Sequence, residues 1–156
     1  IEHWAGEKRP ISQDDPSVTR GKLTLHVHEQ VRALLAEAKQ VSSAGTKAEL
    51  LVDARPPRRY EAGHLPGAVP VYWQDTLVDP KDDPLFLPVN KLQSLFQSRG
   101  IRPGEKLVTY CEIGLQAAHV YFVAKYLGYD AAMYDGSFHE WSMVNNLPLV
   151  KGTSPR

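Results

Sequence analysis

The stretch KLVTYCEIGLQAAHVYFVAKYLGY, residues 106–129, decides the fold. Its first part, Lys106–Tyr110, is a short apolar run rich in β-branched and aromatic residues, which predicts a buried strand. Further on, apolar residues recur at helical spacing over Ala117–Leu127. Between these two segments lies a turn, Cys111–Gln116, with Gly114 near its centre. The stretch therefore predicts a strand, a tight turn and a helix in direct succession.

Cys111 is the only cysteine of the chain and follows the predicted strand directly. The N–H groups and the dipole at the start of the next helix favour a thiolate over a thiol. Gly114 allows the loop backbone to approach an anion closely. Ligands of parallel α/β sheets bind outside the carboxyl ends of the strands. This position favours a catalytic nucleophile over the competing interpretation, a small buried hydrophobic residue.

Strands and helices alternate along the rest of the chain, which predicts an α/β fold with a parallel sheet covered on both faces. We expect one domain over residues 24–152, a linker-like N-terminal extension over 1–23 and a tail over 153–156. Besides the segments above, the pattern predicts helices over Leu25–Lys39, Pro88–Arg99 and Asp135–Met143, strands over Leu50–Asp53, Ala68–Val71 and Ala131–Tyr134, and a loop over Asp75–Pro88. Gly100 and Gly128 are expected to end the helices that precede them.

The composition narrows the class of protein. The chain has 156 residues, 42% of them hydrophobic, and its 18 Lys and Arg residues balance 18 Asp and Glu residues. Such a balance gives no reason to expect a nucleic-acid partner, and no apolar run is long enough to span a membrane. A single cysteine forbids internal disulfides, from which we expect a cytoplasmic, reducing location. The chain begins with Ile1 rather than Met, so we expect that an N-terminal segment has been removed.

Three strings resemble a known family. LVDARPPRRYEAGHLPGAVPV, residues 51–71, resembles the entry motif of rhodanese domains, and CEIGLQA, from Cys111, resembles their active-site loop. YDGSFHEWSMVNNLPLVKG, residues 134–152, is similar to the end of the second domain of tandem sulfurtransferases. The opening IEHWAGEKRPIS resembles the junction between the two domains of such proteins. The resemblance implies a sheet of about five parallel strands and, as a partner, a missing N-terminal rhodanese domain or a second copy of the chain.

The resemblance also implies a sulfurtransferase mechanism without metal or organic cofactor. Cys111 attacks a small anionic sulfur donor, thiosulfate or 3-mercaptopyruvate, becomes a persulfide and passes the sulfur to cyanide or a thiol. Backbone N–H groups of the loop would cradle the terminal sulfur. The residues that supply this cradle are Glu112, Ile113, Gly114, Leu115, Gln116 and Ala117.

The same resemblance assigns supporting roles near the entry motif. Arg59, directly before the tyrosine of that motif, would hold the anionic part of the donor. Arg55 and Arg58 are further candidates, with Arg55 favoured as a structural partner of Asp53. Asp53 itself would support the loop through hydrogen bonds rather than take part in sulfur transfer.

Glu112 departs from the family pattern, which has basic residues after the cysteine in thiosulfate-type loops and small ones in mercaptopyruvate-type loops. Its carboxylate should disfavour the thiolate and repel a dianionic donor, unless it turns outward. The donor therefore stays open between thiosulfate and 3-mercaptopyruvate.

Other functions fit less well. A cysteine phosphatase needs an arginine after five further residues to clamp phosphate, but position 117 is Ala and the loop is one residue too short. A Cys–His pair with His119 or His64 lacks a suitable spacing, and we expect His64 to satisfy nearby backbone groups. The other histidines show no ligand spacing that would indicate a metal site. A non-enzymatic interpretation remains, namely a rhodanese-fold interaction module or persulfide carrier without turnover.

Overall fold

The computed structural model describes residues 32–33, 35–44 and 49–154. Within them, five parallel strands form one sheet in the order β1-β7-β6-β2-β3, as expected for an α/β fold of this kind. The sheet strands are β1 (Arg32–Ala33), β2 (Glu49–Asp53), β3 (Val69–Pro70), β6 (Lys106–Tyr110) and β7 (Asp130–Tyr134). A separate antiparallel hairpin pairs β4 (Leu77–Asp79) with β5 (Asp83–Phe86).

The register of the sheet brings two strand ends together. β6 is central and pairs along its whole length with β2, so that Asp53 lies opposite Tyr110. On its other side β6 pairs with β7, where Thr109 lies opposite Met133. Parallel strands share one carboxyl edge, so Cys111 leaves the sheet beside the ends of both neighbours.

Helices cover both faces of the sheet, as predicted. They are α1 (Leu35–Ala44), α2 (Pro57–Ala62), α3 (Val89–Ser98), α4 (Leu115–Tyr126) and α5 (Ser137–Met143). Leu92 and Phe96 of α3 pack with Val120 of α4 in the core on one face. Ala38 of α1 and Trp141 of α5 belong to the core on the other face, together with Tyr60 of α2. Burying such side chains from both sides explains why the strands are apolar almost throughout.

The two helix ends predicted from glycine are confirmed. Gly100 donates its N–H to the Gln97 carbonyl, and the next N–H reaches the Phe96 carbonyl. The same pair of bonds ends α4: the N–H of Gly128 donates to the Lys125 carbonyl, and the N–H of Tyr129 donates to the Ala124 carbonyl. This is the Schellman arrangement, which satisfies carbonyl groups that the helix leaves free.

Two predictions about elements are wrong. The expected helix Leu25–Lys39 does not run through its described part, because Arg32–Ala33 forms strand β1 and α1 begins only at Leu35. Residues 25–31 of that prediction lie outside the described residues. The expected loop Asp75–Pro88 instead contains the β4–β5 hairpin and part of a 3₁₀ helix, Trp73–Thr76. The other predicted helices and strands are present, with ends displaced by up to two residues.

His119 joins α4 to the segment before the hairpin. Its Nε2 lies 2.7 Å from Oγ1 of Thr76, whose hydroxyl donates to the Trp73 carbonyl at 2.6 Å. Since that hydroxyl proton is already used, Nε2 carries the proton shared with Thr76. The rings of Trp73 and Phe86 flank the imidazole at centroid distances of 5.4 and 5.1 Å.

No helix among the described residues is long and apolar enough to cross a bilayer.

We expect His119 to make stability depend on pH. Burial lowers the pKa of His119 below its ordinary value of 6.5, so the unfolded chain binds the proton more readily than the folded one. The free energy of unfolding should therefore fall as the pH drops from about 7.5 to about 5.5. Urea denaturation at both pH values should show a smaller fall in the free energy of unfolding for His119→Gln than for the native chain. His139→Gln, at an exposed position, should reproduce the native fall, and an equal response of both variants would contradict the assignment.

Candidate active site

Cys111 lies at the carboxyl end of β6, with its side chain only 1% exposed. It packs in the core between the sheet and α4, together with Val71 and Ala117. The N–H of Gly114 donates to its Sγ at 3.1 Å. The sulfur is therefore buried but contacts a main-chain donor at the start of α4, as the sequence predicts.

Gly114 is required by the geometry of this loop. Its φ of 97° lies in the left-handed region, where side chains are rarely tolerated, and it immediately precedes α4. A Cβ at this position would also lie 2.9 Å from Oδ1 of Asp135. A glycine is therefore needed both for the turn and for the close approach of the chain after β7.

The start of α5 holds the loop from the opposite side. The N–H of Phe138 donates to the Cys111 carbonyl at 2.9 Å, and the N–H of His139 donates to the Glu112 carbonyl at 3.0 Å. These bonds use donors that a helix start leaves free within the helix. They fix the positions of the first two peptide groups of the loop.

Ser137 completes this attachment and was not identified from the sequence. Its hydroxyl is fully buried, accepts the N–H of Cys111 at 3.2 Å and donates to the Tyr134 carbonyl at 2.9 Å. Its φ is 54°, an uncommon value for a residue other than glycine. The available signal was its position just after β7, at the same sheet edge as Cys111.

Asp53 and Arg55 form a buried ion pair beside the loop. Nε and Nη2 of Arg55 donate to the carboxylate of Asp53 at 3.0 and 2.7 Å, and the Arg55 backbone N–H adds a third bond at 2.9 Å. The two side chains are 0% and 2% exposed. Burial opposes the charge of Arg55, but the hydrogen bonds and the charge of Asp53 outweigh it and raise the pKa of the guanidinium.

Arg55 also connects the elements around the site. Its Nη2 donates to the Gly63 carbonyl, just after α2, at 2.7 Å. Its guanidinium lies over the ring of Phe138, 4.1 Å from the centroid. Its Nη1 reaches Oε2 of Glu112 at 3.5 Å, and that carboxylate side chain is 45% exposed. Arg55 thus links the end of β2, the start of α5 and the loop that follows Cys111.

The remaining predicted residues occupy the outer part of the site. Ile113 and Leu115 are 59% and 77% exposed, Gln116 is partly exposed and Ala117 is buried. Arg58 and Arg59 are both exposed on α2, and neither side chain forms a hydrogen bond or ion pair with another described residue. The structure therefore gathers Cys111, the loop, Asp53 and Arg55 at one edge, and leaves Arg59 facing solvent.

Among the described residues, no histidine forms a hydrogen bond with Cys111. His119 bonds to Thr76, as described above, and His64 is fully buried with its two ring nitrogens 2.9 and 3.0 Å from the carbonyl oxygens of Tyr60 and Ser154. The prediction that His64 satisfies backbone groups is confirmed. In the part of the chain that the structure describes, no group of three or more His, Cys, Asp or Glu residues is arranged to hold a metal ion.

Curated relatives of the chain are named for sulfur carriage and for sulfur transfer. Among curated relatives, the chain is 31% identical to the sulfur carrier protein TtuD of Thermus thermophilus, matching 96% of this chain and 58% of that protein. It is 29% identical to a thiosulfate sulfurtransferase of Corynebacterium glutamicum, with 98% of this chain and 56% of the relative covered. The chain thus spans a little over half the length of these relatives.

Solved structures share the fold. The anaerobic ergothioneine biosynthesis enzyme of Chlorobium limicola, in complex with trimethyl histidine, superposes with a TM-score of 0.79 at 21% identity, over 98% of this chain and 40% of that one. The family model of the rhodanese-like domain matches residues 28–143. Because this match covers most of the chain, the chain belongs to the rhodanese-like domain family.

Proposed function

We propose that the chain is a sulfurtransferase that moves a sulfane sulfur from thiosulfate or a related donor, such as 3-mercaptopyruvate, to cyanide or a thiol through a persulfide on Cys111. The observation that carries the proposal is the 3.1 Å contact from the Gly114 N–H to Sγ of Cys111, at the start of a 12-residue helix. A main-chain donor and a helix dipole both stabilise negative charge on sulfur. The activities that the names of the two curated relatives state support the same chemistry.

The proposed reaction has two balanced steps. The Cys111 thiolate attacks the outer sulfur of the donor, a new S–S bond forms, and the bond from that sulfur to the rest of the donor breaks. The electron pair leaves with the remainder, which is sulfite when the donor is thiosulfate. The acceptor then attacks the terminal sulfur and returns Cys111 to the thiolate. The N–H groups of residues 112–117 would stabilise the charge on the terminal sulfur, as they would an oxyanion.

Arg59 is proposed to hold the anionic part of the donor. Arg55 is unsuited to this task because its donors are used by Asp53, Gly63 and Glu112. Arg59 is exposed at the surface of α2, and its side chain forms no ion pair with another described residue. Asp53 and Arg55 are assigned a supporting role, in which they position the loop.

The proposal also includes a partner domain and a cellular location. The relatives are longer by nearly half of their length, so we propose that a second rhodanese domain, or a second copy of the chain, closes the pocket. A cytoplasmic location suits a catalytic thiol that has to stay reduced. A carrier without turnover is the second candidate, since the Thermus relative is named a sulfur carrier protein.

Intact-mass measurement tests the proposal directly. After incubation with thiosulfate or 3-mercaptopyruvate, the chain should gain the mass of one sulfur atom, dithiothreitol should remove it, and Cys111→Ser should abolish it. Thiocyanate formation on adding cyanide would indicate turnover, whereas a persulfide that cyanide does not discharge would favour a carrier. No gain of mass with either donor would refute persulfide chemistry.

Replacing Gly114 should separate backbone strain from sulfur chemistry. Gly114→Ala forces a side chain into a left-handed residue beside Asp135, so the Gly114 N–H should move away from Sγ. We expect a loss of about 1–2 kcal/mol in stability and a fall of at least about tenfold in the rate of persulfide formation. Gly104→Ala is the matched control, because its φ is 86° with nothing within 4 Å. That variant should lose similar stability and keep the native rate; an equal loss of rate in both would contradict the role of the amide.

Neighbouring arginines on α2 offer a second comparison. Arg59→Ala removes the proposed partner of the donor's charge and should raise KM for thiosulfate by about threefold to tenfold, with a smaller effect on kcat. Arg58→Ala, equally exposed on the same helix, should stay within about twofold of the native KM. Steady-state thiocyanate formation measures both. Indistinguishable KM values for the two variants would remove Arg59 from the site.

A further inference from the structure

The loop that follows Cys111 carries a carboxylate at Glu112, has another one beside it at Asp135, and contributes no cation of its own. Residues 111–117 contain no Lys or Arg, and the residue after Cys111 is Glu112. The backbone of Glu112 is fixed by the bond from its carbonyl to the N–H of His139, and its carboxylate reaches Arg55. The Glu112 side chain is 45% exposed, so the carboxylate stays close to the loop without being removed from solvent.

Arg55 does not leave a positive charge for a donor. It forms a close ion pair with Asp53, with a shortest distance of 2.7 Å, and a longer contact of 3.5 Å with Glu112. One guanidinium therefore faces two carboxylates, and these three side chains together carry one net negative charge.

A third carboxylate lies on the other side of the turn. Oδ1 of Asp135 is 2.9 Å from the position that a Cβ on Gly114 would take, so this oxygen is in contact with the loop. The outer rim adds two apolar side chains, Ile113 and Leu115, both largely exposed. A charged donor approaching Cys111 over this rim meets negative charge and apolar surface.

We infer that Glu112 is a charge-selecting residue and that the site takes sulfur donors with no more than one negative charge, such as organic thiosulfonates, 3-mercaptopyruvate or alkyl persulfides, in preference to the thiosulfate dianion. The inference rests on the proposed function and names the donor class for the same site. The single positive charge assigned to Arg59 would balance a monoanion. A second negative charge would be uncompensated and repelled by Glu112.

Two donors of nearly the same shape isolate the charge. Thiosulfate reacts with the Cys111 thiolate to give the persulfide and sulfite. Methanethiosulfonate carries a methyl group in place of one anionic oxygen and gives the same persulfide and methanesulfinate. In each case one S–S bond forms, the sulfur–sulfur bond of the donor breaks, and the electron pair leaves with the sulfur oxyanion. The only large difference is one unit of negative charge.

The experiment compares kcat/KM for the two donors, with cyanide as acceptor, in the native chain, Glu112→Gln and Asp130→Asn. Gln keeps a polar contact for Arg55 and removes the charge. We expect Glu112→Gln to raise the ratio of thiosulfate to methanethiosulfonate by about threefold to tenfold, and the gain to shrink as ionic strength rises. Asp130 lies exposed at the amino end of β7, at the opposite edge of the sheet, so Asp130→Asn should leave the ratio within about twofold of the native value.

The outcomes separate the two proposals. A persulfide on the native chain with a ratio unchanged in Glu112→Gln would overturn charge selection and leave sulfur transfer standing. An equal rise in Asp130→Asn would also overturn it, because the effect would then come from net charge. If neither donor forms a persulfide on the native chain, the proposed function fails and this inference fails with it. Glu112→Ala serves as a second variant, and it too should raise the ratio if the charge is responsible.

Discussion

The buried ion pair of Asp53 and Arg55 is the interaction on which the carboxyl edge of the sheet depends. Both side chains are almost entirely removed from solvent, which is costly unless each charge has partners. Here the carboxylate of Asp53 accepts from the side chain and the backbone of Arg55, and the remaining guanidinium donors reach Gly63 and Glu112. Removing one member would strand a buried charge, at a cost of about 3–5 kcal/mol. The contacts of this pair therefore hold the end of β2, the start of α5 and the loop in fixed positions relative to one another.

The loop around Cys111 depends on this ion pair and on the start of α5. The two N–H groups at residues 138 and 139 take the first two carbonyl groups of the loop, while Ser137 takes the N–H of Cys111. Phe138 lies against the guanidinium of Arg55, which connects this helix start to the ion pair. The backbone of the loop, which carries the Gly114 N–H that contacts the sulfur, is thus held by bonds to the start of α5. Such preorganisation lowers the cost of stabilising charge during a reaction.

The central part of the fold could be predicted from the sequence because local pattern and tertiary environment agree there. Lys106–Tyr110 is buried on both faces, so its apolar run is unambiguous, and Gly114 is typical of a turn that opens a helix. The pairing of Arg55 with Asp53 was also predicted, from the resemblance of the entry motif, and the structure shows it. Arg59 remains a prediction, since the structure leaves it in solvent.

The predictions of secondary structure that failed lie where contacts between residues distant in sequence decide the conformation, not the local sequence pattern. Arg32–Ala33 lies in a segment with helical spacing, yet it pairs with β7 as the edge strand of the sheet. The β4–β5 hairpin has short, largely exposed strands and includes Pro84, so it lacks the alternation that indicates a strand. Ser137 could not be assigned a role from composition, because its importance comes from meeting Cys111 across 26 residues of sequence.

Backbone groups and side chains have different tasks in the loop that follows Cys111. The groups that contact or orient the sulfur are mostly main-chain N–H and carbonyl groups, whose properties do not depend on which side chains residues 112, 113, 115 and 116 carry. The side chains of Ile113, Leu115 and Glu112 are instead exposed to solvent. A substitution at these positions alters the charge and polarity of the surface beside Cys111, while the bond from the Gly114 N–H to the sulfur does not involve their side chains. Gly114 is the exception, because there the backbone conformation itself requires the residue.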